Sequence, residues 1–420
     1  MSRYVIRIKS NAITEFAILI LSMLYLSYLH NGIRVLVPLF TGTVAFGIML
    51  LLDVFFLADG STRQKMGKRF PAGIAIALVI GLFFVILGEE TFLNSFALTT
   101  LHCLTVMLIA SYYEDRGDLR NILLGFLLLE ILLSVGVNAL YMALDPQMIH
   151  RVNDDTMIAA GNGLLNMVNL YALYEAAVIY YIVLANFARC KNKIIFGGIL
   201  VAIFYIILNA QMTILLLTTV FVTIIVGLVK PEQYRKTFLL IGGLVILVAV
   251  FSGDMLIWSI NNQIFGARTT VRLQDIYNLF YQGNSISSIL SYYGQQFNGR
   301  MNFSSVQGRL ICYVQSLKAF CHNFFFGYLT PNALPIGEHS SWLDYIAEYG
   351  ILIAVLYKSI VSYLVCVYKE SDSYNKKAVV CFGIVYIVMG LINAVNIRYF
   401  FLYVYLLIPY LNDILIKKKV

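Results

Sequence analysis

The chain has 420 residues, of which 60% are hydrophobic and only 12% charged, and its mean hydropathy is +0.80. Soluble domains carry about 25% charged residues, so this composition excludes a water-facing exterior over most of the surface and points to lipid. The net charge of +8 fits Lys and Arg anchoring cytoplasmic loops on anionic lipid. Nucleic acid is excluded as a partner, because no basic stripe is free of membrane sequence.

Met1 to Lys9 is basic, and the apolar run after it lacks a small-residue cleavage site. It reads as a first membrane helix rather than a signal peptide. A membrane helix needs about 20 apolar residues, and about twelve runs meet that need. They are 11–29, 33–58, 70–88, 92–112, 121–143, 164–188, 194–209, 212–229, 237–259, 346–368, 378–396 and 399–416. Residues 194–229 also read as one broken pair around Asn209, Ala210 and Gln211. The expected fold is an all-α polytopic membrane protein. Residues 1–260 form a bundle of about nine spans, 261–345 an extracytoplasmic loop, and 346–420 about three further spans.

Charge orients the bundle. With both termini inside, the inner connections collect Arg3, Arg7 and Lys9; Arg63, Lys65, Lys68 and Arg69; Arg116 and Arg120; Arg189, Lys191 and Lys193; Lys230, Arg235 and Lys236; Lys369, Lys376 and Lys377; and Lys417 to Lys419. The short outer loops keep Arg34, Arg151 and Arg398, with Glu89 and Glu90. That asymmetry is the positive-inside pattern.

The loop 261–345 is rich in Asn, Gln, Ser, Tyr and Phe, and a loop this long usually carries function. Thr269–Tyr281 and Arg309–Phe320 have apolar stripes at helical spacing, which predicts short amphipathic helices near the outer membrane surface. Cys312 and Cys321 share one of them, about 13 Å apart, too far to bridge. The six cysteines form no CxxC pair and no zinc-ligand spacing.

Glu15, Asp53, Glu130, Glu175 and Lys358 lie inside apolar runs, where ionisable groups are costly. Glu15 and Asp53 sit near helix ends, from which a side chain can reach water. The other three either pair with one another or line a polar cavity. In the outer loop, His339 is a candidate general base at the membrane boundary, against the plainer reading of a solvated interfacial His. His322 reads as a packing residue, and Asp154–Asp155 as a solvated pair. Arg268, Arg272, Arg300 and Arg309 are unusual for an outer loop, and an Arg fork matches phosphate oxygens; the alternative for each is a lipid-headgroup contact. Tyr277, Tyr281, Tyr292, Tyr293, Tyr313, Tyr328, Trp342 and Tyr345 form either an aromatic belt or a sugar-stacking surface.

Gly308-Arg309, then His322-Asn323-Phe324-Phe325-Phe326-Gly327-Tyr328, Glu338-His339-Ser340, Trp342-Leu343 and Glu348-Tyr349-Gly350-Ile351 together resemble the O-antigen polymerase and ligase superfamily, within or near the C-type membrane glycosyltransferases. His339-Ser340 stands where that family has His-Asn. Asn323-Phe324 stands where it has a proline, and Gln211-Met212-Thr213 where it often has Ser-Arg-Thr. The resemblance implies a Wzy-type polymerase of repeat units for O-antigen, capsule or exopolysaccharide. Such an enzyme transfers a growing glycan from undecaprenyl pyrophosphate to an incoming lipid-linked unit at the outer face. In that reading His339 and Arg309 are catalytic, and Arg268, Arg272, Tyr313, Glu338 and Trp342 bind substrate. No metal or other cofactor is required. The implied partners are the undecaprenyl-pyrophosphate-linked oligosaccharide, membrane lipid, a chain-length regulator protein and a flippase. The implied location is the bacterial inner membrane, with both termini cytoplasmic. An O-antigen ligase-type transferase fits the same motif. A polysaccharide flippase or transporter fits the span number, although paired halves are not visible. An acyltransferase has no early His or Arg-x-x-Arg feature to support it.

Overall fold

The computed structural model describes residues 12–29, 40–69, 90–144, 170–190, 192–210, 213–228, 253–263, 267–281, 306–327, 330, 332–337, 339–392 and 402–410. Among these residues the chain is all-α, with no β-strand. The helices are α1 (Ala12–Leu29), α2 (Gly42–Ala58), α3 (Gly60–Arg69), α4 (Glu90–Tyr113), α5 (Gly117–Leu144), α6 (Leu170–Asn186) and α7 (Lys193–Asn209). They continue with α8 (Thr213–Leu228), α9 (Gly253–Asn261), α10 (Ala267–Tyr281), α11 (Val306–His322), α12 (Ser341–Tyr349), α13 (Leu352–Glu370) and α14 (Ser373–Ile392). A fully buried π-helical turn, Tyr403–Leu407, packs on α4.

Most expected runs are helical, but caps and breaks make several shorter than a bilayer requires. Among the described residues only α5 is long and apolar enough to cross a membrane, or two segments if α2 and the start of α3 count as one bent span. The expected run 33–58 is helical from Gly42, where the Thr41 hydroxyl caps α2 by accepting the Val44 N–H at 3.4 Å. The chain then turns by 89° into α3. Asp59 holds that corner: its Oδ2 accepts the Thr62 N–H at 3.1 Å and the hydroxyls of Thr62 and Ser61 at 2.6 and 2.7 Å. Burial pushes the Asp59 carboxyl up, but these hydrogen bonds, with Arg116 nearby, outweigh it and hold the group below the usual value. Asn192 caps α7 by accepting the Ile194 and Ile195 N–H groups, and α7 and α8 are separate helices on either side of the Asn209–Gln211 break. The expected run 346–368 is two helices, parted at Gly350 with φ of 64°. The run expected at 70–88, and residues 237–252 of the run expected at 237–259, lie outside the described residues.

α6 is the hub, packing against α5, α7, α8 and α14. Its Tyr180 and Tyr181 hydroxyls meet Thr223 and Thr219 of α8 at 3.0 and 2.9 Å. A second group forms where α1 packs on α2 and α5, and α4 packs on α2, α3 and α5. α5 buries Leu123, Leu124, Leu127 and Ile131 and exposes Ile122, Leu129, Leu133 and Leu140.

The connections expected on one face meet one another. Lys65 pairs with Asp115, and Arg189 with Asp372. Lys377 donates to the Val226 carbonyl at 3.2 Å, and the Arg116 guanidinium lies 3.7 Å over the Tyr112 ring. From this charged end α13 and α14 run as a hairpin joined at Ser371–Asp372. At 1.5 Å per residue, the start of α13 stands about 28 Å from the joint and Gly390 about 26 Å. α12 touches Gly390 through Ser340 and leads directly into α13. It therefore joins two points of similar height and lies across the hairpin's open end.

Candidate functional site

The candidate site is built where α12 and the loop before it fold onto α11. α11 carries Arg309, Tyr313 and Ser316 at intervals of four and three residues, which places them along one face of the helix. The Arg309 guanidinium donates to the Tyr313 phenol, and burial still pushes that phenol up to about 12. Tyr313 is therefore a neutral hydroxyl at physiological pH, beside a permanent cation.

The loop 332–340 runs back along α11 and is fastened to it at three heights. The Asn323 side chain donates to the Leu334 carbonyl at 3.1 Å and accepts the Leu334 N–H at 3.2 Å. Gln315 donates to the Pro335 carbonyl at 2.8 Å. The Gly337 N–H donates to the Ser316 hydroxyl at 2.9 Å. Gly337 has no alternative here, since a Cβ would stand 2.1 Å from the Cys312 carbonyl oxygen. His339 follows two residues later and is half-buried.

Asp344, in the first turn of α12, ties these parts together. It is buried, accepts the Ser316 hydroxyl through Oδ1, and accepts the Ser340 N–H through Oδ2 at 2.8 Å. Ser340 caps α12 by accepting the Leu343 N–H at 3.4 Å, and its own hydroxyl donates to the Gly390 carbonyl at 3.2 Å. The residues flanking His339 are thus tied to α11, α12 and α14. The far end of the unit is closed by two glycines in the left-handed region. A Cβ on Gly327, φ 58°, would sit 1.8 Å from the Glu348 carbonyl oxygen, and one on Gly350 2.6 Å from that of Phe325.

Of the residues named from sequence, the structure brings Arg309, Tyr313 and the His339 loop together on α11. Arg268 and Arg272 lie on α10, which packs against α9 and α11. Glu338 falls outside the described residues. Trp342 is committed to α14: its indole donates to the Tyr386 carbonyl at 3.3 Å, meets the Tyr386 ring edge-on at 4.8 Å, and lies over Gly390. These contacts pack Trp342 on α14 while it stays partly exposed. His322 is exposed, with Nδ1 2.9 Å from Asn323 Oδ1, rather than packed as expected. Cys312 and Cys321 both lie on α11 and are unbridged. Sequence reasoning passed over Ser316 and Asp344, and named Asn323 and Ser340 only as positions of the resemblance, without these roles. One signal was available: a Ser cap followed by an acid within the first turn marks a helix start.

No family model, curated protein or solved structure matches this chain. The geometry therefore stands on its own. Among the described residues no three His, Cys, Asp or Glu side chains group as metal ligands.

The ionisable residues of the apolar runs separate. Lys358 is exposed on α13, whereas Glu130 is buried on α5 and accepts the Ser27 hydroxyl of α1, so these two do not pair. Glu175 lies on α6. Asp53 does not reach water as expected: it is buried between α2 and α4.

Proposed function

We propose that this is a polytopic membrane glycosyltransferase of the Wzy type, polymerising polyprenyl-pyrophosphate-linked oligosaccharide units at the outer face of a bacterial inner membrane. The observation that carries this reading is the fastening of the His339 loop onto the helix bearing Arg309 and Tyr313, through Gly337 and Ser316. A base and a phosphate-matching cation then share one support, on a unit lying at the end of the α13–α14 hairpin away from the basic connections. The clustering of those connections at the other end, and the exposed leucines of α5, support a multi-pass topology of about twelve spans with both termini cytoplasmic.

In the reaction, the acceptor sugar hydroxyl attacks the anomeric carbon of the donor glycan. Its proton passes to the His339 imidazole. The bond from the anomeric carbon to the pyrophosphate oxygen breaks, and the lipid pyrophosphate leaves with the electron pair. Arg309, helped by Arg268 or Arg272 from α10, stabilises the charge that develops there. The Tyr313 hydroxyl, kept neutral by burial, donates a hydrogen bond to a phosphate or sugar oxygen.

His339→Ala and Arg309→Ala, made separately, test this. Each is expected to replace the surface glycan ladder with single repeat units at unchanged membrane level. A normal ladder in both variants overturns the site. Loss of surface glycan with lipid-linked units accumulating inside the cell selects a flippase instead. Failure to join glycan to its final acceptor, with chain length unchanged, selects a ligase.

A further inference from the structure

We propose that the α1–α2–α4–α5 bundle contains a proton-binding site at Asp53, separate from the outer-face site. Asp53 is 6% exposed, and its Oδ1 is buried with no hydrogen-bond partner among the described residues. Its polar neighbour is Thr105 of α4, whose single hydroxyl proton is shared with the Leu101 carbonyl, at 3.0 Å. Thr105 therefore offers Asp53 one shared donor at most, and Oδ1 has none. A bare carboxylate in such a place is far too costly; taking up a proton removes the charge and supplies a donor.

Among the described residues, nothing beside Asp53 supplies a counter-charge. From α4, the titratable groups near this level are His102, Cys103 and Tyr112, and Tyr25 of α1 meets His102 Nδ1 at 2.7 Å. The other acid of α1 is Glu15, near its start. Of the four bases of α3, Arg63 is exposed at the corner, Lys65 is taken up by Asp115, and Lys68 and Arg69 stand in the last turn, farther from Asp53 along the chain. Asp59 shares the end of α2 and adds negative charge.

The site is placed for exchange. Asp53 lies about 9 Å along α2 from the Asp59 corner and the charged connections. Deeper in the same bundle are the Tyr25–His102 and Ser27–Glu130 contacts. Glu130 sits at the middle of the 28-residue helix α5, the one described helix that by itself passes for a membrane span. Buried acids and a His at successive depths are the parts from which intramembrane proton relays are made. The step is simple protonation: hydronium from the charged end gives its proton to the Asp53 carboxylate and leaves as water.

The test compares wild type with Asp53→Asn, full-length in lipid nanodiscs, from about pH 5 to about pH 8. Infrared spectra should show a carboxylic-acid carbonyl band in wild type that is lost in the variant. The Asn side chain mimics the neutral acid, so the variant should fold. Its thermal midpoint should vary less with pH than that of wild type. A variant that retains the whole acid band, or has the same pH dependence as wild type, overturns the site. A variant that fails to fold also overturns it, since that outcome requires a charged Asp53 held by an ion pair.

Discussion

Asp344 and Asp53 are the same residue type, buried to the same degree, at 7% and 6% exposure, yet their surroundings differ. Asp344 faces two donors, the Ser316 hydroxyl and the Ser340 N–H, one on each oxygen. By accepting both it fixes the loop that carries His339. Asp53 has one hydroxyl neighbour, shared with the Leu101 carbonyl, and its buried Oδ1 has no donor among the described residues. Burial by itself does not set the charge of an acid; the direction in which its neighbours' protons point does.

Four substitutions sharpen this contrast. The largest effect is expected for Gly337→Ala, which forces a methyl group against the Cys312 carbonyl and pushes the loop off α11. Overpacking of this kind costs about 3 kcal/mol. It should lower the thermal midpoint and abolish glycan polymerisation together. Asp344→Asn comes next. It keeps the shape but turns one acceptor into a donor, so either the Ser316 hydroxyl or the Ser340 N–H loses its partner, at about 2 kcal/mol. Polymerisation should fall with membrane level largely kept, and Ser316→Ala should fall between this variant and wild type. If Asp344→Asn is as mild as Asp53→Asn, the contrast between the two acids fails.

The smallest effect belongs to Asp59, whose carboxyl is held below its ordinary value of 3.8. An acid with a lowered value contributes stability that is present above that ordinary value and lost as pH falls through the folded one. Asp59→Ala removes a helix cap worth about 1 kcal/mol. It should lower the thermal midpoint at neutral pH and make the remaining acid-induced loss shallower. An unchanged acid limb would show that Asp59 does not hold the corner between α2 and α3.

Parts of this arrangement were legible beforehand. The α10 and α11 helices follow from apolar stripes in Thr269–Tyr281 and Arg309–Phe320, because a period near 3.6 is local information. The α7–α8 break was visible at Asn209–Gln211, where polar residues interrupt an apolar run. The split at Gly350 was not, because apolar residues continue on both sides. Only the approach of the Phe325 carbonyl, from a distant turn, makes a left-handed glycine necessary there. The exposure of His322 and the packing of Trp342 on α14 were hidden for a related reason: each depends on whether another helix covers the side chain.

Composition and periodicity by themselves determined that the chain is helical, and raised the expectation of lipid, because scarcity of charge and density of apolar residues are sums over the sequence. They also drew attention to His339 and to Arg268, Arg272, Arg300 and Arg309, since such groups in an expected outer loop are chemically conspicuous; the choice of Arg309 among them came from the family resemblance. What only the tertiary structure decided is which hydrogen bonds close. The fastening of the His339 loop by Ser316 and Asp344, and the isolation of Asp53, both depend on donors and acceptors brought together from separate helices. Hydrogen bonds act over about 3 Å, and no local pattern in the chain encodes a meeting at that range.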